Sequence, residues 1–257
     1  MKTVLLCAGF ATRLHPLTEH RAKPLLDIGG RPLLDDLMDR CVQDARLDDF
    51  VLVSNGRFAG DFRAWWERSR AQWPGAKMEI IDDGALSNET RLGAVGDLRL
   101  AIERVGLEGP LFVAAADNLV RFDLGAFVDD FRARPRNLIL AYHEPDPEAR
   151  RRSGVAVTDD DGRVVEFVEK SPDPPGDLVC PPFYLWCDDA LAEIPRLLEA
   201  QPDVDAPGGL VAWCVSRVQV FHHLMRGRRH DIGNLESYRR AQALVEMERG
   251  GAGLREG

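Results

Sequence analysis

Residues 4–14 read Val-Leu-Leu-Cys-Ala-Gly-Phe-Ala-Thr-Arg-Leu, and residues 23–26 read Lys-Pro-Leu-Leu. The opening apolar run ends at a glycine-containing turn, which is typical of a strand that is buried on both faces of a sheet. Gly9 leaves backbone room for a bulky anion, and Arg13 offers a fixed fork of donors suited to phosphate oxygens. Lys23 adds a mobile positive charge. The stretch therefore predicts a phosphate-binding loop at the carboxyl end of a first parallel strand.

The composition argues against several classes of protein. The chain has 257 residues, enough to bury one large core or two smaller ones. Its 33 basic and 42 acidic residues give a net charge of −9, which argues against general binding to nucleic acids or membrane surfaces. The five cysteines are scattered, which is typical of reduced thiols rather than of a zinc site or a disulfide framework. No signal peptide or membrane span is predicted, so we expect a cytoplasmic protein.

Hydrophobic periodicity predicts strands that alternate with helices in the first half of the chain. Such alternation implies parallel pairing through right-handed crossovers. We therefore expect an α/β fold, with a Rossmann-like open sheet that is mixed but mostly parallel and carries helices on both faces. The predicted strands lie at residues 4–6, 50–53, 77–81 and 111–115, and the predicted helices at residues 32–45, 58–72 and 92–105.

The second half of the chain is richer in strands, and an Asp-Gly turn at residues 161–162 predicts a hairpin there. A closing helix is predicted at residues 238–249, followed by a tail at residues 250–257. The other elements predicted in this half are strands at residues 138–142, 155–157, 164–169 and 218–223, a strand ending at residue 186, and a helix at residues 190–199.

Three polar segments follow predicted strands, and ligands bind at the carboxyl ends of strands in open α/β sheets. These segments are the opening loop, Asp82-Asp83 and Asp117-Asn118. We therefore expect them to border the same crevice. Asp82 and Asp83 are better explained as turn residues than as ligands.

Four short motifs, in order along the chain, resemble those of the sugar-1-phosphate nucleotidyltransferases. The opening stretch resembles that family's Ala-Gly-x-Gly-Thr-Arg-Leu and Lys-Pro, with Ala11 in place of the second glycine. The other motifs resemble the family's Gly-Asp-Asn, Glu-Lys-Pro and Asp-x-Gly-Thr-x-Glu-Ser-Tyr, and they lie at residues 116–118, 167–171 and 230–238. Each motif alone would be weak, but four in order over one chain are a strong signal.

The resemblance implies an enzyme that condenses a nucleoside triphosphate with a sugar 1-phosphate to give a nucleotide sugar and pyrophosphate. The sugar phosphate would attack the α-phosphorus in line, and it needs no side-chain base because it is already an anion. Mg²⁺ is the expected cofactor, and the two substrates are the expected partners. The resemblance also implies a single domain over residues 1–257. Residues 1–120 would form a nucleotide-binding half, and residues 121–257 a sugar-phosphate-binding half with a small strand-rich insertion and the C-terminal helix.

Three catalytic residues are implied by the resemblance: Arg13, Lys23 and Asp117. Arg13 would hold the β- and γ-phosphates, and Lys23 would reach the α-phosphate, where charge grows in the transition state. Asp117 and Asp231 resemble the family's two metal ligands. The plain alternatives are a strand-end turn for Asp117 and a helix N-cap for Asp231.

The resemblance divides the substrate contacts between the two halves. Residues 87–98 resemble the family's base-binding segment, although a polar loop that caps the next helix explains them equally well. The predicted nucleotide-binding residues are Ala8, Gly9, Thr12, Arg13, Asn88, Glu89, Arg91 and Gly93. The predicted sugar-phosphate-binding residues are Asn118, Glu169, Lys170 and Tyr184.

Two departures from the family pattern fall on the sugar side. Pro181-Pro182 stand where Thr-Gly is common, and proline lacks the backbone donor that a sugar hydroxyl would use. Ser171-Pro172 shift the proline of the Glu-Lys-Pro motif. The sequence therefore leaves open which sugar or cyclic polyol phosphate is accepted.

Other functions compete with this one. A regulatory module that binds nucleotide sugars without turning them over would be expected to lose Arg13, Lys23 or Asp117, and all three are present. A dinucleotide-dependent oxidoreductase would show Gly-x-Gly-x-x-Gly after the first strand, where Gly9 stands alone. A metal-dependent glycosyltransferase would leave the Arg13 and Lys23 loop unexplained. The nucleobase stays open, with dTTP or UTP favoured by the commonest similar enzymes, and homo-oligomers are common among similar proteins.

Overall fold

The structure is a computed structural model that describes residues 1–252. None of the helices within those residues is both long and apolar enough to cross a membrane. The strands are β1 (Lys2–Leu6), β2 (Asp27–Ile28), β3 (Arg31–Pro32), β4 (Asp49–Ser54), β5 (Lys77–Asp82), β6 (Leu111–Ala115), β7 (Asn118–Phe122), β8 (Asn137–His143), β9 (Gly154–Thr158), β10 (Val164–Glu169), β11 (Leu178–Val179), β12 (Phe183–Trp186), β13 (Val220–Leu224) and β14 (Gly227–Asp231). The helices are α1 (Leu33–Asp39), α2 (Ala59–Ser69), α3 (Gly93–Val105), α4 (Leu124–Ala133), α5 (Pro147–Arg151), α6 (Asp188–Leu191), α7 (Ile194–Ala200), α8 (Gly208–Cys214) and α9 (Leu235–Ala252).

A ten-stranded open sheet forms the centre of the molecule, in the order β10-β9-β11-β8-β12-β6-β1-β4-β5, with β13 paired to β8. The four strands of the first half, β5, β4, β1 and β6, pair with one another in parallel, as their alternation with helices predicts. β12 joins this group to β8 through antiparallel pairs. The predicted fold class, an open mixed α/β sheet with helices on both faces, is confirmed.

Helices cover both faces of the sheet because successive residues of each central strand point to opposite sides. Leu5 and Leu52 belong to a core formed with α1, α2 and α4. Val4 and Val51 belong to a second core on the other face, formed with α3, α7 and α8. All four side chains are at most 1% exposed. Burial on both sides explains why these strands are continuously apolar instead of alternating.

The carboxyl ends of β1 and β6 meet at one edge of the sheet. Leu6 is paired with Ala115 at this edge, so the residues that follow the two strands emerge side by side. Asn55, which follows β4 and is fully buried, donates its side-chain amide to the carbonyl oxygen of Ala8 at 2.9 Å. The opening loop is therefore fixed to the adjacent strand before it turns toward its charged residues.

A two-stranded ribbon outside the main sheet brings two distant acidic motifs together. β7 and β14 pair antiparallel, with Asp231 directly opposite Asn118. The ribbon and α9 share a third apolar cluster with the opening loop, which contains Leu14, Leu119 and Ile232. The end of β14 therefore lies beside the end of β6, although the two are far apart in sequence.

The structure corrects several predicted elements. The helix predicted at residues 190–199 is two helices, α6 and α7, because Pro195 lacks the amide donor of a helix interior and is accommodated in the first turn of a new helix. The prediction also missed α4, although its apolar residues at 124, 127, 128 and 131 have helical spacing. It missed α8 and the β7–β14 ribbon as well. The predicted tail begins at residue 250, but α9 continues to residue 252, and the rest of the tail lies outside the described residues.

Gly227→Ala should destabilise the β7–β14 ribbon. Gly227 has a φ angle of 117°, and a Cβ there would lie 2.4 Å from the carbonyl oxygen of Arg121. We expect the free energy of unfolding to fall by about 1–3 kcal/mol, measured by urea denaturation. Gly60→Ala in α2 is the control, since nothing lies within 4 Å of a Cβ built at that position. Equal losses in the two variants would contradict this account of the ribbon.

Candidate active site

A cavity of about 630 Å³ opens at the carboxyl ends of β1 and β6. The opening loop and the start of α3, from the first half of the chain, line the cavity. The end of β10, residues 205–208 and the end of β14, from the second half, line it as well. The cavity therefore lies between the two halves of the chain. The predicted site residues that line it are Ala8, Gly9, Arg13, Lys23, Arg91, Gly93, Asp117, Asn118, Glu169, Lys170, Tyr184 and Asp231.

Three of the predicted nucleotide-binding residues do not line the cavity. Thr12 is exposed at the start of a 3₁₀ turn. Asn88 and Glu89 lie in a partly exposed turn before α3, where the carbonyl oxygen of Asn88 accepts a hydrogen bond from Arg91. The binding roles of Thr12, Asn88 and Glu89 stay predictions.

The opening loop bends at Ala11, where the resembling motif has glycine. Ala11 has a φ angle of 48°, a left-handed conformation that favours glycine. Thr18 is almost fully buried and donates its hydroxyl to the carbonyl oxygen of Ala11 at 2.9 Å. This hydrogen bond supports the bend, which places Arg13 on the cavity wall.

An ion pair between Lys23 and Asp117 lies at the floor of the cavity. Lys23 Nζ is 3.0 Å from Asp117 Oδ2, and the two side chains are 9% and 40% exposed. The ammonium group is therefore buried, while the carboxylate remains open to the cavity. Burial alone would raise the pKa of Asp117, but Lys23 and Arg229 together outweigh burial and lower that pKa below its usual range. Asp117 is thus ionised at neutral pH.

Asp231 faces the same cavity from the end of β14. Enclosure by the surrounding protein raises the pKa of Asp231, and the nearby carboxylate of Asp117 raises it further. Two carboxylates that repel each other in this way suit a divalent cation, because Mg²⁺ is usually held by one or two carboxylates together with phosphate oxygens and waters. Over residues 1–252, no three His, Cys, Asp or Glu side chains form a cluster that could hold a metal ion. A cation held by Asp117 and Asp231 would therefore need further ligands from substrate and water.

Arg229 is a cavity residue that the sequence motifs do not indicate. Its Nη1 donates to Asn118 Oδ1 at 2.8 Å, and the amide of Asn118 donates in turn to Asp117 Oδ1 at 2.7 Å. These contacts extend the Lys23–Asp117 pair into a continuous polar chain. The two-residue period of a strand puts Arg229 on the same face as Asp231, so a correct prediction of β14 could have found it.

Arg91 binds the carboxylate of another residue that lines the cavity. Its Nε and Nη2 each lie 3.0 Å from an oxygen of Asp205, which makes the pair bidentate. Next to it, the backbone amide of Ala94 donates to the carbonyl oxygen of Asp205 at 2.8 Å. Gly93 packs so closely on this segment that a Cβ there would lie 2.9 Å from the carbonyl oxygen of Val204. The predicted base-binding loop is therefore joined to the second half of the chain by Asp205, which the sequence reasoning missed.

Glu169 and Lys170 occupy the cavity wall at the end of β10. The Glu169 carboxylate fills a slot beside Gly208, where a Cβ would lie 1.9 Å from Oε2. Burial raises the pKa of Glu169 even though Lys170 Nζ lies 3.9 Å from Oε1 and opposes the shift. Lys170 is 61% exposed and can reach a ligand. Tyr184 is buried next to this wall, and burial raises the pKa of its hydroxyl.

A second pair of carboxyl groups lies under the start of α3. Asp83 Oδ2 and Asp97 Oδ1 are both buried, and no hydrogen-bond donor among residues 1–252 reaches them. Burial raises the pKa of Asp97 to about 8, and the nearby charge of Asp83 contributes further. Burial likewise raises the pKa of Asp83. A raised pKa of this size favours the protonated form of Asp97 at neutral pH.

Only Asp97 of this carboxyl pair lines the cavity. Asp82 and Asp83 do not line it. The cavity is therefore bordered by the opening loop and by Asp117-Asn118, but not by the third polar segment that was expected there. Asp82 Oδ1 accepts from the backbone amide of Gly84 at 2.8 Å, and Asp83 Oδ1 accepts from that of Ala85 at 2.7 Å. Both residues therefore make the turn contacts expected after β5.

Comparison with protein families gives one match over nearly the whole chain, to the Nucleotidyl transferase family over residues 2–248. The chain is 28% identical over 272 residues to valienol-1-phosphate guanylyltransferase of Streptomyces hygroscopicus subsp. limoneus, covering 94% of this chain and 70% of that protein. It is 28% identical over 196 residues to UTP–glucose-1-phosphate uridylyltransferase AglF of Haloferax volcanii, covering 72% of each. It is 31% identical over 201 residues to glucose-1-phosphate thymidylyltransferase of Streptomyces antibioticus, covering 77% of this chain and 52% of that protein.

Solved structures share the fold at lower sequence identity. A UDP-glucose pyrophosphorylase complexed with UDP-glucose superimposes with a TM-score of 0.81 at 16% identity, covering 96% of this chain and 98% of that one. UTP-bound UGPase from Acinetobacter baumannii gives a TM-score of 0.77 at 18% identity, covering 96% and 93%. At these identities the likeness establishes the fold.

Asp97→Asn should make the stability of the protein less dependent on pH. The folded-state pKa of Asp97, about 8, lies above the ordinary value of 3.8, so the folded state binds more protons in that window and loses stability as pH rises through it. An asparagine amide can donate to Asp83 without titrating. We expect the variant to gain stability over wild type by up to about 1 kcal/mol per pH unit as the pH rises through this window.

This prediction is checked by urea denaturation from about pH 5 to about pH 9. Over most of this range Asp97 is protonated in the folded state and ionised in the unfolded state. Asp61→Asn is the control, since Asp61 is exposed on α2. A stability difference for Asp97→Asn that stays constant across this range would contradict the raised pKa of Asp97.

Proposed function

The chain belongs to the Nucleotidyl transferase family, and we propose on that basis that it condenses a nucleoside triphosphate with a sugar 1-phosphate to give a nucleotide sugar and pyrophosphate. The observation that carries the proposal is the cavity in which Arg13, Lys23, Asp117 and Asp231 converge from distant parts of the chain. The cavity thus combines two basic side chains that can bind phosphates with two acidic side chains that can bind a divalent metal ion. Relatives named as guanylyl-, uridylyl- and thymidylyltransferases support this class of reaction.

The reaction we propose needs positioning and charge neutralisation more than acid–base chemistry. The phosphate of the acceptor sugar is already an anion and attacks the α-phosphorus in line with the leaving pyrophosphate. Arg13, on the opening loop, would hold the β- and γ-phosphates and stabilise the leaving group. Lys23 would contact the α-phosphate, where negative charge increases in the transition state. Gly9 and Ala8 would let the backbone approach the triphosphate.

Asp117 and Asp231 are the residues that would hold Mg²⁺, and enzymes of this family generally depend on that ion. When bound, the ion supplies positive charge to the phosphate oxygens. Burial and, next to it, the charge of Asp117 raise the pKa of Asp231, and a cation between the two carboxylates would relieve their repulsion, which supports this assignment. Asn118 would keep Asp117 oriented through their 2.7 Å hydrogen bond.

The acceptor is assigned to the wall formed by Glu169, Lys170 and Tyr184. Lys170 would bind the sugar phosphate, because it is a largely exposed cation on the second half of the chain. Glu169 would accept hydrogen bonds from sugar hydroxyls. Pro181 and Pro182 also line the cavity, so a sugar hydroxyl cannot use backbone donors at these two positions. We therefore propose an acceptor that differs from glucose 1-phosphate in the hydroxyls it presents there.

For the donor we propose dTTP or UTP, by resemblance to the commonest similar enzymes. The relatives include enzymes that are named for guanylyl transfer, so GTP and ATP belong in every test. Residues 1–257 would act as one domain, and a homo-oligomer is one assembly open to it, since such assemblies are common among similar proteins. A cytoplasmic location is supported by the five cysteines, all of which are free.

The experiment that tests the proposed function is a pyrophosphate-release assay over a grid of nucleoside triphosphates and sugar 1-phosphates. Each pair is measured with and without Mg²⁺. Turnover with at least one pair, dependent on Mg²⁺, is the expected result. If no substrate pair released pyrophosphate but the protein bound a nucleotide sugar, the inactive regulatory module would be favoured instead.

Asp117→Asn should abolish turnover while leaving the fold intact. The amide keeps the size of the side chain but removes the negative charge available to a cation, so we expect kcat to fall at least about a hundredfold. Circular dichroism and the urea midpoint check that the protein stays folded. Asp82→Asn is the matched control, because it changes a strand-end aspartate outside the cavity. Full activity in Asp117→Asn would contradict the metal assignment.

Lys170→Glu should weaken the use of the sugar phosphate far more than that of the nucleotide. Reversal of this charge would repel the acceptor phosphate, and we expect its KM to rise at least about tenfold. The KM of the triphosphate should change little. Lys77→Glu is the control, because Lys77 is an exposed lysine at the start of β5, outside the cavity. If the triphosphate alone were affected, the placement of the acceptor at the end of β10 would be wrong.

A further inference from the structure

Arg229 lines the cavity, and among the residues that the structure describes no carboxylate contacts its guanidinium group directly, although the charges of Asp117 and Asp231 lie near enough to interact with it. Its polar contacts are neutral: Nη1 donates to Asn118 Oδ1 at 2.8 Å, and Nη2 lies 3.5 Å from the hydroxyl of Tyr142. Its guanidinium carbon also lies 5.6 Å from the centre of the Tyr142 ring. Its Nε is buried, and no acceptor within residues 1–252 reaches it.

Two other enclosed cations, one on the adjacent strand and one in the cavity, are neutralised directly. Arg121, on the adjacent strand β7, binds the carboxylates of Asp36 and Glu248, and Lys23 binds Asp117. Withdrawing a guanidinium group from water without a directly bound anion is costly, and an anion in the cavity would offset that cost. Arg229 therefore has the properties of a residue whose ionic partner is a ligand.

The position of Arg229 distinguishes between the two anionic substrates. Tyr142, on β8, and the end of β14 belong to the second half of the chain, on the side of Glu169 and Lys170. Asn118, however, connects Arg229 to Asp117, the carboxylate that would hold the metal ion. A group that contacts Arg229 is thus close to both the acceptor wall and the reacting phosphorus. The phosphate of the acceptor is the anion that must occupy this place.

We propose that Arg229 binds the phosphate of the acceptor sugar and that it acts together with Lys170 as a second cationic contact. This inference rests on the proposed function. A guanidinium group can donate two parallel hydrogen bonds to a phosphate, which a lysine cannot do. Asn118 and Tyr142 hold the guanidinium plane from two sides, so Arg229 orients the attacking oxygen as well as attracting its charge.

The proposal separates Arg229 from its neighbour on the same strand. Arg228 is exposed, and the period of a strand directs its side chain to the opposite face of the ribbon. Arg228→Gln therefore removes the same charge from the same strand without touching the cavity. It is the matched control for Arg229→Gln.

The test measures steady-state kinetics of wild type, Arg229→Gln, Arg229→Lys and Arg228→Gln with the substrate pair that gives most turnover. We expect Arg229→Gln to raise the KM of the acceptor at least about tenfold, as for loss of a charged hydrogen bond, and to change the KM of the triphosphate less than about twofold. Arg229→Lys should recover part of the loss, since it restores the charge but not the fork of donors. Arg228→Gln should match wild type.

Calorimetric titration with glucose 1-phosphate and with inorganic phosphate gives a second measurement that does not depend on turnover. We expect Arg229→Gln to weaken binding of both probes and Arg228→Gln to weaken neither. An unchanged acceptor KM and unchanged phosphate binding in Arg229→Gln would overturn the proposal, even if the wild type is active. Loss of affinity only for acceptors that carry a carboxylate on the sugar would also overturn it. If the wild type is inactive on the whole grid, the proposed function fails, whereas loss of phosphate binding in Arg229→Gln would still identify Arg229 as an anion-binding residue.

Discussion

The ion pair between Lys23 and Asp117 is the interaction on which the candidate active site depends. It joins the turn that follows the opening loop to the end of β6, across 3.0 Å. The lysine is almost fully buried, so separating it from the carboxylate would leave an unpaired charge away from water, which is strongly unfavourable. The carboxylate, in contrast, stays open to the cavity. The contact that fixes the loop thus also presents an ionised aspartate to ligands.

The polar chain continues from this pair through Asn118 to Arg229, and its far end depends on the β7–β14 ribbon. The ribbon places Asp231 opposite Asn118, so both acidic groups of the predicted metal site are set by strand register. A slip of one residue would turn Asp231 and Arg229 to the other face. The geometry of the site is therefore controlled by a small element outside the main sheet.

The features that could be predicted are those recorded by a sequence pattern within one segment of the chain. The strands at β1, β4, β5 and β6 are continuous apolar runs, so their pattern is readable without knowledge of their neighbours. The break between α6 and α7 was missed, although Pro195 marks it. The ribbon was missed because β14 is a polar, arginine-rich segment without a hydrophobic pattern. Arg229 was missed with the ribbon, and Asp205 was missed because it gains its place only through contact with Arg91 and Ala94, which are distant in sequence.

The sequence by itself determined the fold class, and twelve of its fifteen predicted site residues line the cavity, because apolar runs and short motifs at strand ends record local constraints. Ala11 illustrates this: the motif has glycine at this position, and the backbone there does adopt a left-handed conformation that favours glycine. Only the tertiary structure decided that Asp117, Asp231 and Arg229 share one cavity, that Arg91 binds Asp205, and that Thr12, Asn88 and Glu89 lie away from the wall. These relations join residues that are far apart in the chain, and they exist only once strand register and packing have fixed which side chains meet.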